Sequence, residues 1–169
     1  MSGKTPQKHK KIATRTLRFK NSLLDQINIR LLRELQRDPR VPMATLARRV
    51  RMSGPAVTER VRRLEDAGVI AGYRMEVAPK ALGLLVTAYV RIRPAPGQLA
   101  KVAELAERTP EVVECHRITG EDCFLLRVCV PDIAHLESAL DRFLAFGQTT
   151  TSIVQSSPVP LRSLPLPSD

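Results

Sequence analysis

MATLARRVRMSGPAVTERVRRLEDAGVI, residues 43–70, reads as two short helices joined by a tight turn. Leu46, Ala47 and Val50 recur at helical spacing and can pack on a core, while Arg48 and Arg49 point away from it. Arg51-Met52 breaks the pattern. Ser53 then stands where a helix N-cap is wanted, its hydroxyl placed to accept a bond from a backbone N–H of the next turn. Pro55 suits the first turn of a helix, where its missing N–H costs nothing. From there Val57, Val61 and Leu64 form the buried stripe, and Thr58, Glu59, Arg62 and Arg63 the polar face, with Arg60 at its edge. Glu65-Asp66-Ala67-Gly68 closes the helix, Gly68 serving as its C-cap.

Two helices joined in this way, the second opening with small polar residues and carrying arginines, match a helix-turn-helix. Such a second helix meets base edges in the major groove, which asks for short polar groups at depth and cations where phosphates pass. Ser53, Gly54, Pro55, Thr58 and Glu59 suit the first task; Arg48, Arg60, Arg62 and Arg63 suit the second or the edge of a guanine. A helical hairpin with a solvated charged face is the plainer alternative. Glu59 also has a local role open to it, an i, i+4 pair with Arg63.

Charge is distributed to match. Of the net +10, residues 1–20 carry seven Lys or Arg and no acid, residues 21–80 carry twelve against seven, and residues 81–169 carry eight against ten. The basic half therefore coincides with the helix-turn-helix, as an anionic polymer partner requires, and the other half has a different task. Double-stranded DNA is the expected partner rather than a membrane, because the arm has no sustained apolar face to insert. No apolar run approaches spanning length and the first residues lack a signal core, so a cytoplasmic protein is expected. Cys115, Cys123 and Cys129 have no metal-ligand spacing and cannot all pair. They read as buried or interface thiols in a reducing compartment, with no metal or cofactor implied.

In chain order, residues 1–20 read as a flexible basic arm that either brushes phosphates or takes no part. Leu24, Ile27, Leu31, Leu32 and Leu35 mark a helix starting near Asn21 or Ser22 and ended by Asp38-Pro39; it completes a three-helix domain. Val69 to Val77 reads as a short extended linker, so the DNA-binding domain is placed at 21–77 and a second domain at 78–169. In that second domain Leu84, Val86, Ala88, Val90 and Ile92 alternate as a strand. A helix follows with Leu99, Val102, Leu105 and Ala106 inward, then strands over Val112–Thr119 and Cys123–Val130, a helix with Ile133, Leu136, Leu140, Phe143 and Leu144 inward, and a last strand over Thr149–Gln155. The order βαββαβ is that of ferredoxin-like folds, and the chain as a whole is α+β. Both helices then cover one sheet face. The other face would show Leu85, Tyr89, Leu125 and Cys129, too apolar a patch to leave in water. Packing against a second copy about a two-fold axis covers it, and pairs two recognition helices for a palindromic site.

At this point the chain resembles the Lrp/AsnC (feast/famine) transcription regulators. The resemblance rests on LLDQINIRLL (23–32), LA (46–47), SGPAVTERVRRLEDAGVIAGY (53–73), PKALG (79–83), PEV (110–112), TGEDCFLL (119–126) and FGQTTTSIV (146–154), and covers roughly residues 22–166. It implies a winged-type helix-turn-helix followed by a ferredoxin-like (RAM/ACT-like) domain that forms dimers and then tetramers, octamers or larger rings. It further implies a small effector, commonly an amino acid, near Thr119, Gly120, Glu121 and Asp122 and near Gln148, Thr149, Thr150 and Thr151. Small hydroxyl and backbone groups suit a carboxylate and acids an α-ammonium. Gly120 as a simple hairpin glycine and Asp122 as a turn residue are the plainer alternative. Three departures stand out. Asn28 replaces the usual aspartate, with the expected loss of an ion pair; Arg51 takes a turn position where glycine is common; and Cys123 stands where many relatives carry an aspartate.

Two other functions compete. One is an architectural chromosome protein that gains affinity by binding many weak sites together. The other is an enzyme, since some haem-pathway decarboxylases resemble this two-domain plan. His9, His116 and His135 form no cluster of acid–base type, which argues against it.

Overall fold

The computed structural model describes residues 23–167. The basic arm lies outside the described residues. Contacts divide the chain into two compact units: one runs to Arg74 and resumes at Ser163, and the other spans Met75–Arg162.

The first unit is built on three helices. Helix α1 is Gln26–Arg37, with Asp25 as N-cap: its carboxylate accepts from the Asn28 backbone N–H at 2.7 Å. The expected start near Asn21 or Ser22 is corrected to this point, because a carboxylate facing the free N–H groups of the first turn is the stronger start signal. Leu24 therefore precedes the helix rather than joining its stripe. Helices α2 (Met43–Val50) and α3 (Gly54–Asp66) pack across α1. Leu31, Leu35, Val41, Leu46, Ala47, Val50, Val57 and Val61 form their common core. Each leucine or valine among them contributes roughly 1.5–3 kcal/mol by leaving water.

The two helices of the motif end alike. After α3, Gly68 adopts φ 71, its N–H bonds the Glu65 carbonyl, and the Val69 N–H bonds Leu64 at 2.9 Å. After α2, Arg51 adopts φ 58, its N–H bonds Arg48, and the Met52 N–H bonds Ala47 at 3.0 Å. Both are the left-handed helix stop that satisfies the last free carbonyls. Glycine takes this conformation without strain, whereas arginine pays on the order of 1 kcal/mol.

The stretch beyond α3, expected as an extended linker over 69–77, joins no sheet among the described residues. It folds back on α3 instead. Ile70 donates to Leu64 and packs on the helical core, and the Tyr73 hydroxyl donates to Glu65 at 2.9 Å. Burial first, and then the Glu65 carboxylate, push the Tyr73 phenol up to about 12. These ties explain why the division falls after Arg74 rather than after Val77.

The second unit opens with a 3₁₀ turn at Pro79–Leu82. Then follow β1 (Val86–Pro94), α4 (Leu99–Arg108), β2 (Val112–Arg117), β3 (Phe124–Val130), α5 (Ile133–Leu144) and β4 (Gly147–Ile153). The order is βαββαβ as expected, in an antiparallel sheet ordered β2-β3-β1-β4. Strand β1 begins later than the alternation suggested, at Val86. Strand β4 begins earlier, at Gly147. Gly147 lies against the end of β1, where a Cβ would sit 2.3 Å from the Arg93 carbonyl oxygen. No other residue fits there, so Gly147 opposite Pro94 fixes the register of β4. Asp132 caps α5, accepting from His135 N–H at 2.9 Å.

Ala88, Val90, Ile92, Phe124, Leu126, Val128 and Val130 face the helices and meet Val102, Ala106, Leu136 and Phe143 in one core. On the opposite face Tyr89 is 43% exposed, as expected, while Leu85, 66% exposed, lies just before the strand. Cys129 is corrected: it is buried, its sulfur 3.6 Å from the Thr87 hydroxyl on the next strand. Among the described residues no helix is long and apolar enough to cross a membrane, and no group of three His, Cys, Asp or Glu gathers to hold a metal.

Candidate nucleic-acid interface and ligand site

The turn between α2 and α3 sets how the second helix is presented. Ser53 is the N-cap in extended conformation, but its side chain makes no capping bond, contrary to the sequence expectation. Pro55 in the first turn leaves no N–H for such a bond at its own position, and the serine hydroxyl stays exposed at the tip of α3. Gly54 and Pro55 follow it there. Thr58 turns its hydroxyl back onto the Gly54 carbonyl at 3.0 Å, which leaves its methyl and oxygen lone pairs facing out.

One turn on, Glu59 is held by two arginines. Arg63 Nε lies 2.9 Å from it and Arg62 reaches it at 3.0 Å, while Arg62 also approaches Asp66 at 3.6 Å. The Arg63 hydrogen bond, then that of Arg62, holds the Glu59 carboxyl below the usual value. The local i, i+4 pair left open by the sequence is therefore present. It lines the guanidinium groups up along one exposed face, with their remaining N–H donors outward. Arg48 adds a cation from α2, exposed and bonded to Thr45 at 3.2 Å.

Arg60 does not join this face. It turns inward, bonding Asp25 at 2.6 Å and Asn28 at 3.1 Å. Asn28 is buried, and its amide also donates to the Leu23 carbonyl at 3.0 Å. The ion pair expected to be lost with Asn28 is thus made by Asp25 instead, and the asparagine serves as its buried second acceptor. At Asp25 burial raises the pKa, but the Asn28 backbone N–H and the Arg60 guanidinium together outweigh it and hold the carboxyl below its ordinary 3.8.

In the other unit the hairpin between β2 and β3 carries Thr119, Gly120, Glu121 and Asp122. Gly120 has φ 113, which a side chain resists. Both acids reach back to β1: Asp122 lies 3.7 Å from Arg91 and 3.6 Å from Arg93, and Glu121 pairs with Arg93. Across β1 the register sets Thr150 opposite Arg91 and Gln148 opposite Arg93, on the same outer face. Thr149 and Thr151 stand opposite Ile92 and Val90 and so face the helix side, away from the cluster. The structure therefore gathers Glu121, Asp122, Gln148 and Thr150 into one polar cluster. The sequence reading missed Arg91 and Arg93 as members; two arginines two residues apart on one strand face were the available signal.

Comparison with known proteins agrees with both halves. Residues 24–71 match a winged helix-turn-helix DNA-binding domain and residues 87–164 the Lrp/AsnC ligand binding domain. The HTH-type transcriptional regulator LrpC of Bacillus subtilis is 33% identical over 79% of this chain and 92% of its own length. LrpA of Mycobacterium tuberculosis is 38% identical over 78% of this chain and 88% of its own. Among solved structures, the feast or famine regulatory protein Rv3291c of M. tuberculosis in complex with L-methionine superposes with TM-score 0.78 at 35% identity, covering 85% of this chain and 99% of that one. The transcriptional regulator NMB0573 of Neisseria meningitidis, also complexed with L-methionine, gives 0.76 at 28% identity, covering 84% and 96%.

A helix-turn-helix joined to a ferredoxin-like ligand-binding unit, in a chain whose relatives are HTH-type transcriptional regulators, defines a DNA-binding transcriptional regulator. The chain belongs to the Lrp/AsnC family.

Proposed function

We propose that this regulator reads an inverted-repeat DNA site with paired α3 helices and adjusts its binding to an amino acid held at the outer face of the sheet. The observation that carries the first part is the exposed face of α3, where Ser53, Gly54, Pro55 and Thr58 form a small polar tip ahead of Arg62 and Arg63. Short groups enter the groove and read base edges. The arginines, and Arg48 beside them, meet phosphate or guanine. On meeting DNA, Arg62 and Arg63 exchange part of their bonding to Glu59 for phosphate, so Glu59 tempers binding to arbitrary sequence. Arg51, exposed in the turn, is placed for a further phosphate contact.

The second part rests on the Arg91, Arg93, Glu121 and Asp122 cluster. Such a set suits a zwitterion: the guanidinium groups take an α-carboxylate and the acids an α-ammonium, with Thr150 and Gln148 as further partners. The methionine complexes of relatives support an amino acid as the ligand class. Tyr89 on the same face and Leu85 just before the strand favour pairing with a second copy, giving a dimer and from it a higher oligomer such as a tetramer or octamer. Its place of action is the cytoplasm, where the DNA is.

The test is selection of bound fragments from genomic DNA, followed by anisotropy titrations of the best fragment and of a scrambled one at several salt concentrations, with and without each amino acid. Preference of about a thousandfold or more for an inverted repeat, shifted by one or a few amino acids, is the expected result. Equal and steeply salt-dependent binding to both DNAs would replace this reading with the architectural one. A specific site with no response to any amino acid would remove the effector part alone.

A further inference from the structure

The chain leaves the helical unit at Arg74 and returns to it at Ser163. The returning segment is part of SSPVPLRSLPLP, residues 156–167, and carries prolines at 158, 160, 165 and 167. It lies along the outer face of α1. Gln36 Nε2 donates to the Leu164 carbonyl at 3.1 Å and Arg33 Nη2 to the Pro167 carbonyl at 2.8 Å. Leu166, between the two gripped carbonyls, is half-buried, whereas Leu161 and Leu164, both earlier in the segment, are exposed. Arg33 and Gln36 sit one turn apart on α1, off the Leu31, Leu32 and Leu35 stripe that packs inward.

We propose that the outer face of α1 is a docking site for the chain's own proline-rich segment 163–167, and that the docked segment is a second tether on the helix-turn-helix unit. Three physical features favour it. A proline-rich strand is extended before it docks, so little chain entropy remains to be lost. Its carbonyls have no internal partners and are free to accept from side chains. The segment is also covalently delivered: it follows β4, which ends at Ile153, so its concentration at α1 is on the order of millimolar. Exposed hydrogen bonds and a half-buried leucine hold it reversibly. A unit tied at Arg74 alone swivels on one linker; tied again through Arg33 and Gln36, it has a narrower range of orientations.

The test uses the full chain, the double variant Arg33→Ala with Gln36→Ala, the variant Leu166→Ser, and a chain ending at Arg162. Alanine keeps α1 helical, and circular dichroism checks that each variant folds. Trypsin cleavage at Arg162–Ser163, followed by the mass of the released peptide, reads docking. Nuclear relaxation of the α3 amides reads the freedom of the unit. The full chain is expected to be cut slowly and both substituted forms about tenfold faster, in proportion to the undocked population. The α3 amides should report a shorter local correlation time in all three altered chains than in the full chain. Equal cutting of the full chain and the double variant would overturn the docking site. Faster cutting with unchanged α3 relaxation in the chain ending at Arg162 would overturn the tether. Neither readout involves DNA or an amino acid, so failure here is separate from failure of the proposed function.

Discussion

The outer face of α3 and the outer face of the sheet both present arginines held by carboxylates, but the pairs are made in different ways. On α3, Glu59 meets Arg62 and Arg63 within one turn of the same helix. On the sheet, Arg91 and Arg93 meet Glu121 and Asp122, residues brought together by the β1–β3 pairing. The helical set has both its guanidinium groups exposed and gives way easily to a polyanion. The sheet set is anchored on a rigid strand and a glycine-bearing hairpin, and it offers both signs of charge at once. One surface is suited to a long partner of single sign, the other to a small partner carrying both.

Removing the cations of the first surface should have the largest effect. Arg62→Ala combined with Arg63→Ala is expected to weaken binding to specific DNA roughly tenfold per residue and to lower the salt slope by about two, with the oligomer unchanged in sedimentation. A slope that stays put would mean these arginines never reach the backbone. Asp25→Ala strikes the pair that is not on either surface. It removes the α1 N-cap, worth about 1–2 kcal/mol, and the bond to Arg60, which adds less than about 1 kcal/mol because Asp25 is 41% exposed.

The same carboxylate has a pH signature. Its pKa is lower in the folded than in the unfolded chain, so its stabilisation is complete above the ordinary 3.8 and fades as pH falls through the lower folded value. Thermal unfolding of the native chain should therefore lose ground on Asp25→Ala as pH drops below about 4; a constant gap would show that the pair contributes nothing through charge.

On the sheet, Asp122→Ala is expected to raise the half-saturating amino-acid concentration about tenfold, the worth of one charge-assisted bond, while basal DNA affinity holds. Calorimetry with the amino acid found in the screen measures it, and unaltered affinity would move the ligand elsewhere. The smallest change is Arg51→Gly. Relief of left-handed strain should stabilise the helical unit by at most about 1 kcal/mol, partly offset by the freedom glycine adds to the unfolded chain. A chemical denaturation midpoint that falls instead would assign Arg51 an interaction worth more than the strain.

The same contrast explains what could be read in advance. The two ends of α3 are legible almost residue by residue, because Pro55 and Gly68 act through their own backbone and need no distant partner, although the bond expected of the Ser53 hydroxyl is not made. The βαββαβ order was legible from the switch between periods of two and 3.6. Arg60 was misplaced toward the DNA face, since its partner Asp25 is 35 positions away and only the packing of α1 on α3 joins them. Arg91 and Arg93 were passed over for a similar reason: their acids lie across a strand pairing. The division of Gln148 and Thr150 from Thr149 and Thr151 depends on the register of β4, which no local signal in a run of threonines declares. Cys129 looked exposed by alternation alone, and the neighbouring strand covers it.

That register returns the question to Gly147. Because a single methyl there would collide with the Arg93 carbonyl, the frame of the last strand is locked before any of its side chains is chosen. Gln148 and Thr150, just beyond it, can then be exchanged freely as far as the fold is concerned. Under the proposed reading, a lineage retunes which small molecule it answers to by drifting at positions immediately adjacent to one that is forbidden to drift.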